Sequence, residues 1–475
     1  MIHKIKSQNN NRLSFRQLTI FGMSGAANSL MHNSLNQMAN LVFNVFLGVN
    51  PVLISVTIFC SRFWDAITDP FMGSISDNTR SRFGRRRPYM LVGGILAALI
   101  FVLLWWVPVS WSEMGHFLWL LIGSLLFYTA FTVFSVPCQA LACELSPDYD
   151  ERTRIMAFRG FFAAGMGISI PWMYRLTQMD CFKNPLEGMR AVSLGAAAIM
   201  IITSAVPALF IKERKDMAQM ILAQKRIRLL DSLKITLKNR IFVMVLLTVV
   251  LSCLGIYMVN QLGLYINIFY VFGGDKKSAA VLMGLGGTLY GVFGGILGMP
   301  LISFLSGRFG KKRVLCGGMA LAMLGTISEF WTFNPDWPYL QLVSLAMIAP
   351  SLAGLWTLTA SMVADICDED ELSTGVRREG MYNAVYSNVL KIGMSVGVLL
   401  CGLILEASGF RAELGAGQST QTLLILRILF ASIPSCALFI GLIVISCYPI
   451  TKEKAKAARS ILDARHARKR DGVHE

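Results

Sequence analysis

The stretch "CSRFWDAITDPFMG", residues 60–73, sets Arg62, Asp65 and Asp69 inside an otherwise apolar run. The run is long enough to cross a bilayer, where each mid-span charge costs roughly 2.5–3.5 kcal/mol on insertion scales. Such charges belong on a face that lines a cavity or protein interior and supplies partners. Asp65 and Asp69 stand at i and i+4 on one helix face, and Arg62 precedes Asp65 by one turn on that face. An Arg62–Asp65 ion pair accounts for two of the charges and leaves Asp69. Two carboxylates one turn apart also offer hard oxygen ligands to a sodium ion, or can hold a proton between them. Pro70 bends the helix there and exposes a carbonyl oxygen to the same place.

The rest of the chain has the same character. Its 475 residues are 54% hydrophobic and only 15% charged, too little charge to cover a soluble protein of this length. Twelve apolar spans are expected as helices, at about 17–47, 51–77, 88–109, 117–143, 154–177 and 189–211, then 241–270, 277–306, 313–333, 339–365, 380–407 and 421–449. This predicts an all-α polytopic membrane protein with a tail over 1–16, a six-helix bundle over 17–211, a cytoplasmic connection over 212–240, a second bundle over 241–449 and a basic tail over 450–475. Residues 226–240 carry Leu229, Leu230, Leu233 and Leu237 at the spacing of an amphipathic helix.

The net charge of +16 falls on one side of these spans. Segment 77–88 has five Arg against one Asp, 212–240 nine basic residues against three acidic, and 452–475 eight against four, whereas 107–117 has no Lys or Arg. That asymmetry places both termini in the cytoplasm. The basic stretches carry no nucleic-acid reader motif, so nucleic acid is not an expected partner. Of ten cysteines only Cys181 falls in an outer connection, which leaves no external pair. Walker, HExxH, GxSxG and CxxC patterns are absent, so the chain does not read as an enzyme, and no cofactor is expected beyond a coupling ion.

An internal repeat divides the chain. "RFGRRR" at 82–87 returns as "RFGKKR" at 308–313, and "ACELSPDYDERTR" at 142–154 is echoed by "ADICDEDELSTGVRREG" at 364–380. Two such halves fit a major facilitator transporter, which rocks about a midplane cavity. Much of this loop charge is topology signal. Its glycine permits a tight inner turn, and its arginines can latch onto helix-end carboxylates. The candidate inner-loop gating set is Asp77, Arg82, Arg85, Arg86 and Glu144, with Arg308, Asp365 and Arg377 in the second half. "GLGGTLYGVFGGILG", 284–298, has no preceding strand and no Lys, and its glycines at four-residue steps mark helix packing instead of a phosphate cradle.

The first span carries Asn28, His32, Asn33, Asn36, Gln37, Asn40 and Asn44 at three- and four-residue steps. Such a stripe suits a polyhydroxylated ligand or, equally, hydrogen bonding between helices. Arg159, Tyr386 and Lys391 are further polar positions within spans, and the two cations can instead snorkel. Trp356 can stack on a sugar face or pack.

At "RFWDAITDPFMGSISDNTRSRFGRRRPYMLVG" (62–93) the sequence resembles the glycoside–pentoside–hexuronide:cation symporters, the group of the melibiose permease. "ACELSPDYDERTRIMAFRGFF" (142–162), "WTLTASMVADICDEDE" (356–371), "GVRREGMYN" (375–383) and "VLKIGMS" (389–395) extend the resemblance over nearly the whole chain. The resemblance implies that Asp65 and Asp69 bind the coupling cation, Na+ or H+, with Thr132 as a further ligand and Thr68 where the family has Asn. It also places Arg159, Trp356 and Lys391 in the substrate cavity. Two further sugar-binding carboxylates of melibiose permease align with Ala27 or Asn28 and with Ser135, and its stacking Trp aligns with Gln139. A galactoside read in that permease's way is therefore not expected.

Arg62, Arg159 and Lys391 outnumber Asp65 and Asp69, and a coupling cation adds to the excess, which favours an anionic sugar such as a uronide. The expected function is import of a sugar-like solute by cation symport in the cell inner membrane, by a functional monomer. The animal sodium-dependent lysophospholipid transporters share "WDAITDP" and a pattern similar to "FTVFSVP" (131–137), so a lipid-like solute is the alternative. A non-transporting sensor on the same fold is a third reading, and it would tolerate loss of both aspartates.

Overall fold

The computed structural model describes residues 13–146, 149–213, 234–375 and 378–470, and among these every regular element is helical. Many helix starts are set by a side chain that takes up first-turn amides. Ser14 caps α1 (Phe15–Ala39) in a reciprocal box with Gln17. Asn50 caps α2 (Pro51–Asn78), whose first residue is a proline with φ already suited to a helix. α3 (Arg87–Leu104) follows, Ser112 caps α4 (Glu113–Glu144), α5 spans Tyr149–Thr177, and Asn184 caps α6 (Pro185–Phe210).

In the second half Asn239 caps α7 (Arg240–Tyr265) and Asp275 caps α8 (Lys276–Tyr290). A π-helical turn, Gly291–Ile296, joins α8 to α9 (Gly298–Phe309), and the two form one span. α10 (Lys311–Thr332), α11 (Gln341–Thr374), α12 (Glu379–Ala407), α13 (Thr420–Ser446) and α14 (Lys452–Arg470) complete the chain. Among the described residues eleven spans are long and apolar enough to cross a membrane. α1, made more polar by its amide stripe, brings the long helices to twelve. The chain is an all-α polytopic membrane protein.

α11 runs to Thr374, well past the end near 365 that hydropathy suggests. Its acidic last turns stay helical because bases hold the acids: Lys311 bonds Asp365 at 2.6 Å, Arg459 bonds Asp368 at 3.3 Å and Arg378 lies 3.5 Å from Asp370. Gly375, at φ +71°, then closes the helix in the left-handed conformation. Most of the amphipathic helix expected over 226–240 lies outside the described residues.

The helices pack as two compact units. The first takes in residues 1–225, 267–291 and 399–423. Within it α1 lies along α5 and α6, α4 is packed by α2 and α3, and α8 runs against α5. A Cβ added at Gly284, Gly287 or Gly291 would come within 2.8 Å of Trp172, 2.3 Å of Pro171 or 2.2 Å of Ile168. Only glycine lets α8 approach α5 so closely. The same contact carries a Trp172 Nε1–Thr288 Oγ1 hydrogen bond at 2.9 Å and a Lys277–Asp180 ion pair, which holds the Asp180 carboxyl below the usual carboxylate range. The second unit takes in 226–266, 292–398 and 424–475, around a core that includes Phe242, Val249, Met319, Leu358, Met362 and Tyr382.

Candidate cation and substrate site

Asp65 and Asp69 point their carboxylates from α2 toward Thr132 on α4. Thr132 Oγ1 lies 2.7 Å from Asp65 Oδ1 and 3.3 Å from Asp69 Oδ1. Thr68 Oγ1 is 3.3 Å from Thr132 Oγ1, while its own proton is directed to the Trp64 carbonyl at 3.1 Å. Asp65 is 0% exposed, Thr132 is buried, and Asp69 is half-buried. The four residues thus form one oxygen cluster between two helices. A hydroxyl carries one proton and can donate to only one of the two carboxylates. With Asp65 the nearer, the Asp69 contact is the weaker of the two, and a cation or a shared proton among the oxygens would strengthen it. Among the described residues no three His, Cys, Asp or Glu gather as a metal cluster. The oxygen-only set suits a hard cation or a proton.

Arg62 turns toward α1. Its Nη2 donates to the His32 carbonyl at 2.9 Å and its Nη1 bonds His32 Nδ1 at 3.0 Å. The guanidinium also lies 4.7 Å from the centre of the Tyr128 ring. Arginine only donates, so Nδ1 of His32 is the acceptor and the imidazole is neutral, with its proton on Nε2. Tyr128, buried one turn before Thr132 on α4, donates its hydroxyl to Asn36 Oδ1 at 3.0 Å. The sequence reading passed over Tyr128. Its i, i+4 relation to Thr132 was the available signal.

Part of the amide stripe is structural. Asn33, Asn36 and Asn44 donate to the carbonyls of Ser29, His32 and Val49. Asn28 Oδ1 and Gln37 Oε1 are buried and have no hydrogen-bond partner among the described residues. Gly25, Asn28, His32 and Asn36 share one face of α1 by their spacing. α5 crosses that face at Gly25, where an added Cβ would stand 2.9 Å from Arg159 Cγ. Arg159 is half-buried and forms no hydrogen bond or ion pair among the described residues. One face of α1 therefore meets Arg159 at Gly25 and Arg62 at His32, with the unpartnered Asn28 oxygen between them. On α4, Ser135 is buried and Gln139 exposed.

The first unit's inner loop forms a buried charge knot. Arg86 reaches Asp77 at 2.5 Å, Glu144 at 2.9 Å and Ser76 Oγ at 2.6 Å, and Arg85 reaches Glu144 at 2.8 Å. Glu213 accepts the backbone amides of Arg85, Arg86 and Arg87 at 2.7–2.9 Å, capping α3 where its dipole favours an anion. Arg82 is exposed. In the second unit Lys311 holds Asp365, Arg308 lies over the Phe309 ring at 5.6 Å, and Arg377 is outside the described residues. Gly84 and Gly310, the glycines of the repeated Arg-Phe-Gly, both have positive φ, +104° and +88°. Also in the second unit, Tyr386 is buried against Thr359 at 2.8 Å, Trp356 packs half-buried on the core, and Lys391 is half-buried.

Comparison with known proteins agrees with this architecture. The chain is 23% identical to a glucuronide carrier protein homologue of Escherichia coli, over 94% of this chain and 95% of that one. It is 25% identical to a sodium-dependent lysophosphatidylcholine symporter of Danio rerio, over 91% of this chain and 85% of that one. The crystal structure of a D-xylose–proton symporter superposes with a TM-score of 0.64 at 15% identity, covering 91% of this chain and 97% of the other, a likeness of fold. The model of the MFS/sugar transport protein family matches residues 20–452, and with that match over nearly its whole length the chain belongs to this family of major facilitator transporters.

Proposed function

We propose that the protein imports an anionic sugar, of the uronide class, by symport with Na+ or H+ through the inner membrane, with both termini cytoplasmic. The carrying observation is the Thr132 hydroxyl set between two carboxylates, an arrangement that one proton cannot satisfy alone. Asp65, Asp69, Thr68 and Thr132 are the coupling-ion ligands. Arg159 and Asn28 are the substrate contacts in the first unit. Arg62, oriented by His32 and Tyr128, sets the positive potential of that face. Trp356, Tyr386 and Lys391 are further substrate-binding residues.

The 23% identity to the glucuronide carrier homologue supports the uronide class. A lysophospholipid is the second reading, supported by the 25% identity to the lysophosphatidylcholine symporter. Uptake into proteoliposomes decides between them. Radiolabelled glucuronide, a neutral glycoside and lysophosphatidylcholine are offered in turn, under an imposed sodium gradient and then a proton gradient. Concentrative glucuronide uptake under one gradient, lost in Asp65→Asn and Asp69→Asn while exchange persists, is the expected result. Uptake of the neutral glycoside alone, or of the lysolipid alone, overturns the reading.

A further inference from the structure

Away from the charged face of α2, the second unit has an apolar crevice between α9, α10 and α11 that encloses about 400 Å³. Its walls include Leu301, Leu305, Phe309, Leu321 and Pro350. Leu301, Phe309 and Leu321 are exposed, so the crevice is open along these helices, and its apolar walls suit hydrocarbon. Its floor is glycine. A Cβ at Gly317 would meet nothing within 4 Å, and one at Gly318 would find its nearest neighbour at 3.7 Å, the Ser351 Cα. These glycines therefore differ from Gly284 and Gly287, where a neighbouring helix occupies the space. No packing contact requires the missing side chain at Gly317, and its absence keeps a trough open.

The crevice has a single charged lining residue, Arg313, in the first turn of α10. Arg308 and Lys312 stand beside it in the basic turn "RFGKKR", on the side that the charge asymmetry makes cytoplasmic. Lys311 is neutralised by Asp365, whereas Arg313 is exposed and forms no ion pair among the described residues. The acid that feels its charge is Glu453 of α14. That carboxyl is held below the ordinary range first by the helix-start backbone and Thr451, with Arg313 the smallest contributor. An apolar trough ending at an uncommitted guanidinium matches a molecule with a hydrocarbon chain and an anionic head.

We propose that this crevice binds an anionic phospholipid of the cytoplasmic leaflet, one acyl chain lying over Gly317 and Gly318 and the phosphate meeting Arg313. The site is remote in sequence from every residue assigned to coupling, and it acts on the lipid shell of the transporter, not on its cargo.

The test uses the purified full-length protein, exposed to equimolar phosphatidylglycerol and phosphatidylethanolamine of matched chains and read by native mass spectrometry. One tightly held lipid is expected, with phosphatidylglycerol favoured about fivefold, the factor that one basic side chain contributes at an anionic surface. Arg313→Gln should bring the two lipids to parity. Gly317→Leu, which has room for its side chain and fills the trough, should remove the tightly held lipid. Gly195→Leu on α6, equally open at its Cβ, should leave it in place. Equal retention of both lipids by the unaltered protein, a preference that survives Arg313→Gln, or undiminished binding in Gly317→Leu each overturns the proposal.

Discussion

Thr132 Oγ1 donates to Asp65 Oδ1 at 2.7 Å across the α2–α4 contact, and its only proton is then spent. The 3.3 Å approach to Asp69 is then the weaker contact. Thr132→Val keeps shape and removes the hydroxyl. Because hydrogen bonds to charged groups contribute about 1.5–3 kcal/mol, apparent affinity for the coupling ion should fall at least about tenfold. Thr132→Ser should stay within a few-fold of the unaltered protein. Ion titration of uptake in proteoliposomes reads both, and equal losses in the two variants would show that the methyl group matters and the hydroxyl does not.

His32 is the acceptor that orients Arg62, and Leu at that position removes it. The buried guanidinium loses its Nη1 acceptor and retains the His32 carbonyl and the Tyr128 ring. Leaving such a donor unsatisfied costs about 1–3 kcal/mol, more for a charged group. His32→Leu should therefore lower the melting temperature in detergent by several degrees. His32→Gln, whose amide oxygen can accept from Nη1, should recover most of the loss. If the two variants melt together, the Nδ1 contact does not stabilise the bundle.

The inner knot predicts a larger effect. Glu144 is buried between Arg85 and Arg86, and its conversion to Gln leaves two guanidinium groups with one remaining carboxylate, Asp77. Breaking a buried pair by removing one partner costs about 3–5 kcal/mol. Glu144→Gln should melt below His32→Leu. Lys311→Met in the second unit, where the Lys311–Asp365 pair is partly exposed, should cost clearly less. A Glu144→Gln protein that melts no earlier than Lys311→Met would mean that water satisfies the knot.

The fold was legible because hydrophobic length and charge asymmetry act over tens of residues, and few arrangements satisfy both. The site was legible at the level of the helix face, since i, i+4 spacing places Asp65 with Asp69 whatever surrounds them. What spacing does not encode is where a long side chain ends. Arg62 precedes Asp65 by three residues, yet its hydrogen bonds go to His32, thirty residues away in sequence, because α1 brings a carbonyl and a ring nitrogen to the same guanidinium. Asn33 and Asn44 were open between ligand and structure for a similar reason: a short amide beside its own helix can turn back onto a nearby carbonyl. The acidic end of α11 looked like a loop because its bases come from Arg459, Lys311 and Arg378, which hydropathy places in other segments.

The repeated Arg-Phe-Gly turns offer a comparison within one molecule. Gly84 and Gly310 both have positive φ, so alanine is strained at either, by roughly 1–3 kcal/mol. Their surroundings differ. At Gly310 a Cβ would have its nearest neighbour at 3.7 Å, the Lys452 side chain, an ordinary contact. At Gly84 it would stand 2.5 Å from Glu213 Oε1, in the carboxylate that holds three amides at the start of α3. Gly84→Ala must therefore displace Glu213 as well as strain the turn, and each lost hydrogen bond to a charged group adds about 1.5–3 kcal/mol. Gly84→Ala should melt several degrees below Gly310→Ala, and adding Glu213→Ala to it should cost little more, since the cap is already broken. Equal melting of the two glycine variants would show that strain at the turn, and not the Glu213 cap, sets the requirement for glycine at 84.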